Sequence, residues 1–264
     1  MTGRRGETWA IVQARTTSSR LPGKVLLPLA GEPMVLRQLE RIGRATQLDG
    51  IVVATSADPS DDDLAILLAD AGYDYVRGPL DDVLGRFIVA LDEYQTDVVV
   101  RLTADCPLIS PRVIDLVVKR FHSSAADYVS NTMEPTYPDG LDVEVTTAAA
   151  LREVAAASTD AHEREHVTLG IYRRTDRFRV EDFADPAGRE NPQLRWTVDN
   201  AEDFAFVSEI YQQLFPAEFE YEDVLALLAA HPQLNRTVAD APRNAALDGL
   251  DTGAMHQSKV RDTQ

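Results

Sequence analysis

Residues Ile11–Pro33 read IVQARTTSSRLPGKVLLPLAGEP. The apolar run Trp9-Ala10-Ile11-Val12 turns abruptly into a polar, basic loop carrying Arg15, Arg20 and Lys24. Pro22-Gly23 stands just before the lysine, and a second turn signal, Gly31-Glu32-Pro33, precedes an amphipathic run. Strand, cationic loop, helix is the order in which α/β proteins place phosphate sites beyond a strand's carboxyl end. Three cations within ten residues stand out in a chain of formal net charge −17. The stretch reads either as a cradle for a triphosphate or as a solvated surface loop. It is not a P-loop, because the spacing G-x-x-x-x-G-K-[ST] is absent.

Working outward, apolar β-rich runs alternate with helical patterns, which predicts a largely parallel sheet covered by helices. Helices are expected over Met34–Ile42, from Ser60 as N-cap to Gly72, over Asp81–Tyr94, and over Pro111–Phe121. Further helices are expected over Thr146–Ala157, Thr159–Arg174, Glu202–Leu214 and Tyr221–Ala230. Strands are expected at Gly50–Thr55, Tyr73–Val76, Asp97–Leu102, Asp127–Ser130, Leu141–Val145, Phe178–Val180 and Leu194–Asp199. From Arg236 the chain turns polar and aperiodic, the pattern of a mobile tail. The division expected is one domain over 1–235 and a flexible tail over 236–264.

At 264 residues the chain is long enough to bury a proper core, and 44% hydrophobic with 26% charged residues is ordinary for a globular protein. No apolar stretch approaches the roughly 20 residues of a membrane helix. The N-terminus, MTGRRGETW, lacks the apolar segment of about 7–15 residues that a secretory signal needs. A cytoplasmic location is expected. The acidic balance speaks against general nucleic-acid binding, which wants a basic face. The single cysteine, Cys106, forbids an intrachain disulfide and argues against a thiolate zinc cluster.

Four constellations carry candidate chemistry. The basic loop offers Arg15, Arg20 and Lys24, with Gly23 letting backbone approach a phosphate. Asp105, after DVVVRLTA, and Asp199, after LRWTV, fall at strand ends, where open α/β sheets bind ligands. Such a pair suits Mg²⁺, which takes one or two protein carboxylates beside phosphate oxygens and water. Either acid also reads as a helix N-cap. His162-Glu163-Arg164-Glu165-His166 matches H-E-x-x-H, so a zinc hydrolase with Glu163 as base is a distant alternative. A charged helix face closing a substrate pocket fits the segment better. Tyr137-Pro138-Asp139-Gly140-Leu141-Asp142 is a plain turn or a substrate loop offering Asp139 or Asp142.

The string ARTTSSRLPGKVLLPLAGEPM resembles the signature loop of the CMP-sugar-acid synthetases, the cytidylyltransferases that activate 3-deoxy-manno-octulosonate and acylneuraminates. RLTADCPLI, DYVSNT, YPDGLDVEV, REHVT and RWTVDNAEDF resemble the spore-coat-polysaccharide F-like branch of that family, and the likeness runs from about Ile11 to Pro232. It implies a single-domain, glycosyltransferase-A-like three-layer α/β/α sandwich on a mostly parallel mixed sheet. It implies Mg²⁺-dependent transfer of CMP from CTP to an acidic sugar-like acceptor. Arg15 and Lys24 then match the triphosphate-binding arginine and lysine, with Arg20 assisting and Ala14 and Gly23 lining the nucleotide. Asp105 and Asp199 match the metal-binding aspartates. REHVT accounts for the H-E-x-x-H string without zinc. The better-studied synthetases lack YPDGLDVEV and REHVT, so Asp139, Asp142 and His166 stand as candidates for binding the acceptor. Related enzymes are often dimers, and the helical region 146–174 offers an interface for a homodimer. A nucleotide-sugar glycosyltransferase of the same fold and a non-catalytic nucleotide sensor are the remaining alternatives.

Overall fold

The structure, a computed structural model, describes residues 6–239 and 243. In chain order it forms β1 (Thr8–Gln13), a two-strand hairpin β2 (Pro28–Leu29) and β3 (Glu32–Pro33), α1 (Met34–Ile42) and β4 (Gly50–Ser56). Next come α2 (Asp62–Asp70), β5 (Tyr75–Gly78), α3 (Val83–Glu93), β6 (Val98–Thr103) and α4 (Pro111–Ser123). The second half holds β7 (Tyr128–Ser130), β8 (Glu144–Thr147), α5 (Ala148–Ala157), α6 (Ala161–Glu165) and α7 (Leu169–Tyr172). It ends with β9 (Val180–Asp182), α8 (Ala201–Leu214) and α9 (Tyr221–Ala230).

Seven strands make one sheet in the order β5-β4-β1-β6-β8-β7-β9, with β8 alone running against the rest. The continuous apolar run of β1 has a direct cause: both faces of the strand are covered. Ala10 and Val12 pack into one core, with residues of α1, α2, α4, α8 and α9. Ile11 packs into the other, with residues of α3, α5 and α7. That is the expected α/β/α sandwich. The chain leaves β1 for β4 and β5 on one side and returns to β6 on the other, so a crevice opens at the carboxyl ends of β1 and β6.

Several expected elements shift. The helix expected over Thr159–Arg174 breaks into α6 and α7, because Val167 sits at φ 43°. Burial of Val167 and a hydrogen bond from the Thr168 hydroxyl to Glu144 accompany that break. The strand expected over Leu141–Val145 begins only at Glu144. The Asn131 side chain takes the backbone of the lead-in instead, accepting from Val143 N–H at 2.8 Å and donating to Leu141 O at 2.8 Å. Thr147 caps α5, its hydroxyl accepting from Ala150 N–H at 3.1 Å. Asp58 rather than Ser60 caps the turn that leads into α2. Leu194–Asp199 is no sheet strand. It is buried backbone that pairs with loops, through Trp196 N–H to Asp139 O at 2.6 Å and Val198 N–H to Asp105 O at 2.8 Å.

The expected tail falls mostly outside the described residues. Those described are tied to the body: Arg195 N–H donates to Arg236 O at 2.9 Å, and Val238 N–H to Gln193 O at 2.9 Å. Among the described residues no helix is long and apolar enough to cross a membrane.

Candidate active site

The basic loop is anchored at both ends. Thr16 donates its N–H (2.7 Å) and its hydroxyl (2.8 Å) to Asp61, which also accepts from the N–H and hydroxyl of Ser56 at the end of β4. Asp61 is fully buried, and a carboxylate so surrounded by donors is a fixed post. Gly23 N–H closes the loop on Thr16 O at 2.8 Å, and Gly23 adopts φ 70°, a conformation that glycine takes without a Cβ penalty. The turn so made drives Lys24 inward, to 8% exposure.

Lys24 Nζ donates to Asp105 Oδ2 at 2.9 Å, to Asp199 Oδ1 at 3.1 Å and to Val198 O at 2.8 Å. All three of its protons are therefore placed. Burial works to lower the lysine's pKa, but the two carboxylates outweigh it and the net shift is upward. Burial likewise pushes Asp105 up, and the Lys24 charge with donors from Thr103, Lys24 and Cys106 overcomes it, holding Asp105 at about 2. Arg20 adds a second cation, its Nη2 lying 3.0 Å from Asp199 Oδ1. These groups line an open cleft of about 230 Å³ with Gln13, Ala14, Arg15, Ser18, Ser19, Val25, Thr103 and Ala104.

Behind the cleft stands Arg195, 2% exposed, on the extended segment that ends at Asp199. One guanidinium nitrogen holds Asp139 at 2.9 Å, and the other reaches Asp199 at 2.5 Å and Asp203 at 3.4 Å. Asp203 is also the N3 acid of the α8 capping box, and it accepts from Asp199 N–H at 3.0 Å. Arg236 braces it from the far side at 3.1 Å. The position of the Asp199 carboxylate thus rests on Lys24, Arg20, Arg195 and the start of α8 together.

The fold therefore brings Ala14, Arg15, Arg20, Lys24, Asp105 and Asp199 to one cleft. Gly23 shapes the turn but does not line it. Asp139 and Asp142 line neither hollow at this edge. Burial and the neighbouring Asp142 raise Asp139, which is committed to Arg195, while Asp142 is bonded by Arg243. Gly140, between them, has φ 105°, and a Cβ there would sit 2.7 Å from Thr197 N, so the loop packs directly on the segment bearing Arg195. His166 faces an adjoining hollow of about 110 Å³ with Gln13, Ala14, Arg15, Val83, Arg86 and Glu165. Burial, then the nearby Arg101 charge, lowers its pKa.

The H-E-x-x-H string has a structural job. Glu163 is buried and ion-paired with Arg174 at 2.9 Å, so its carboxylate already has a partner. Among the described residues no three His, Cys, Asp or Glu side chains converge as a metal cluster. Cys106 is buried, and burial followed by the Asp105 charge pushes its thiol well above the usual range, which suits a packing residue. Sequence reading missed Arg195, Asp203 and Asp61. The i, i+4 pairing of Arg195 with Asp199 inside an otherwise apolar run was the signal available for the first.

A cationic loop facing the Asp105 and Asp199 carboxylates, at the crevice of a mostly parallel sheet, is the arrangement of a phosphate-binding site. The chain belongs to the cytidylyltransferase family, whose model matches residues 9–239. It is 34% identical over 224 residues to an uncharacterised protein of Methanocaldococcus jannaschii, covering 85% of this chain and 91% of that one. It is 31% identical over 208 residues to the spore coat polysaccharide biosynthesis protein SpsF of Bacillus subtilis, covering 77% of this chain and 85% of the relative. Among solved structures, a cytidylyltransferase from Leptospira borgpetersenii superposes with a TM-score of 0.82 at 28% identity, over 87% of this chain and 97% of that one. A CMP:2-keto-3-deoxy-manno-octonic acid synthetase complexed with CTP shares the fold, with a TM-score of 0.59 at 17% identity, over 78% and 99% of the two chains.

Proposed function

We infer that the protein transfers CMP from CTP to an acidic sugar or a related acceptor, with Mg²⁺ and with release of pyrophosphate, in the synthesis of a polysaccharide or surface glycan. The observation that carries this reading is the placement of Lys24 Nζ between Asp105 and Asp199, in a cleft that Arg15 and Arg20 also enter. The names of two relatives support this reading: that of SpsF the polysaccharide setting, and that of a 3-deoxy-manno-octulosonate cytidylyltransferase of Hydrogenovibrio crunogenus, at 30% identity over 195 residues, the acidic-sugar acceptor.

The residues present fit a divalent ion. Two carboxylates converge on one cationic centre, and oxygen donors of that charge are what a hard cation takes, phosphates and water completing its shell. Asp105 and Asp199 would hold Mg²⁺, which when bound neutralises phosphate charge and orients the attack. The chain's own groups do the rest. The acceptor hydroxyl oxygen bonds to the α-phosphorus and gives its proton to solvent. The α–β phosphoanhydride bond breaks, and pyrophosphate leaves with the electron pair. Arg15, Arg20 and Lys24 stabilise the charge that grows on the leaving group, fixed cations being most effective where charge develops.

The test is a turnover assay. Protein incubated with Mg²⁺, each nucleoside triphosphate in turn and a panel of acidic sugars is expected to release pyrophosphate preferentially with CTP, and to stop on chelation of the metal. Turnover of a sugar nucleotide with none of CTP would overturn this reading in favour of glycosyl transfer.

A further inference from the structure

A largely buried polar chain ends on Gln13, which lines both hollows, and the transfer chemistry does not use it. Arg101, on β6, is ion-paired with Glu144 on β8. Glu144 also accepts from the Tyr128 hydroxyl at 2.9 Å and from the Thr168 hydroxyl, so its carboxylate is held from three sides. With its head so fixed, Arg101 turns its Nε to Gln13 Oε1 at 3.1 Å. Gln13 ends β1 and lines both the cation-bearing cleft and the hollow beside it.

Arginine has donors only, so the Gln13 atom facing Arg101 is the amide oxygen. Its NH₂ group is therefore turned away, and among the described residues it has no hydrogen-bond partner. A side-chain amide held on one side and open on the other presents a preset donor to whatever spans the two hollows. Lys24, Arg20 and Arg15 take the phosphate end of such a ligand. The part that lies over Gln13 is the portion next to the phosphates.

The geometry points to Gln13 as a substrate-reading residue: its NH₂ donates to an oxygen of the nucleoside monophosphate part of the nucleotide, with Arg101 as the positioning residue that sets the amide's orientation. The inference rests on the reading of the cleft as a nucleotide site. A donor held in place costs the nucleotide no ordering of the protein, so its loss appears in ground-state binding.

The experiment is calorimetric titration with Mg²⁺ and no acceptor, of CTP and of inorganic tripolyphosphate, against wild type, Gln13→Met and Gln13→Glu. Gln13→Met is expected to weaken CTP about tenfold, the worth of one well-placed hydrogen bond, and to leave tripolyphosphate unchanged. Gln13→Glu keeps an acceptor for Arg101, so it is expected to melt with wild type while losing CTP affinity at least as far. It carries the test should the methionine variant fold poorly. CTP binding at wild-type strength in both variants would overturn the inference. So would equal weakening of CTP and tripolyphosphate in Gln13→Met, which would place Gln13 in the support of the basic loop alone. A wild type that binds tripolyphosphate but no cytidine nucleotide would overturn the functional reading itself, and this inference with it.

Discussion

Lys24→Ala is expected to lower the rate of pyrophosphate release by about 10²–10³-fold, the cost of losing one charged donor to developing charge. The side chain is buried and its three protons are aimed at Asp105, Asp199 and the Val198 carbonyl, so nothing nearby can swing in to replace it. Arg20 touches Asp199 but is largely exposed, and Arg15 leans on Glu165 at 3.5 Å, so neither is fixed as Lys24 is. The loss should appear in kcat as well as in kcat/KM, because the leaving group's charge is larger in the transition state than in bound CTP. Circular dichroism identical to wild type would show the fold intact. A variant retaining more than half of wild-type kcat would remove Lys24 from the chemistry.

Arg195→Met is expected to cost about 3–5 kcal/mol of folding stability, the usual result of removing one partner from a buried ion cluster. The guanidinium serves Asp139, Asp199 and Asp203, and its removal strands charge that burial cannot solvate. Methionine fills much of the volume, so the loss reports charge and hydrogen bonding more than a cavity. Chemical denaturation reads it as a lower midpoint at an unchanged slope. The consequence reaches the cleft, because Asp199 loses one of its anchors. A change below about 1 kcal/mol would mean that the three aspartates find other partners, and that Arg195 is not the hub that the buried geometry describes.

The strand–loop–helix stretch was legible because its signals are local. The apolar run of β1, the Pro22-Gly23 turn and the amphipathic face of α1 each sit within a few residues, and the companion motifs gave the family. The break at Val167 was not legible. The helical period runs on through His166-Val167-Thr168, and the bond from the Thr168 hydroxyl to Glu144 crosses a long stretch of chain. Leu194–Asp199 read as a strand because buried extended backbone and sheet strand have the same composition. Its partners are loop residues that no pattern foretells. Asp61 and Arg101 were invisible for a similar reason: their roles are pairings with Thr16 and Gln13 across long stretches of chain. Lys24, Asp105 and Asp199 were nominated separately, by loop chemistry and by strand ends. The fold adds that one ammonium group joins the two acids.

The most direct test of that junction is a crystal structure of the protein soaked with CTP and Mg²⁺. The expected result places the triphosphate in the cleft against Arg15, Arg20 and Lys24, with the metal on Asp105 and Asp199 and Lys24 Nζ turned from the carboxylates to a phosphate oxygen. A nucleotide bound elsewhere, with Lys24 still held by both aspartates, would contradict it.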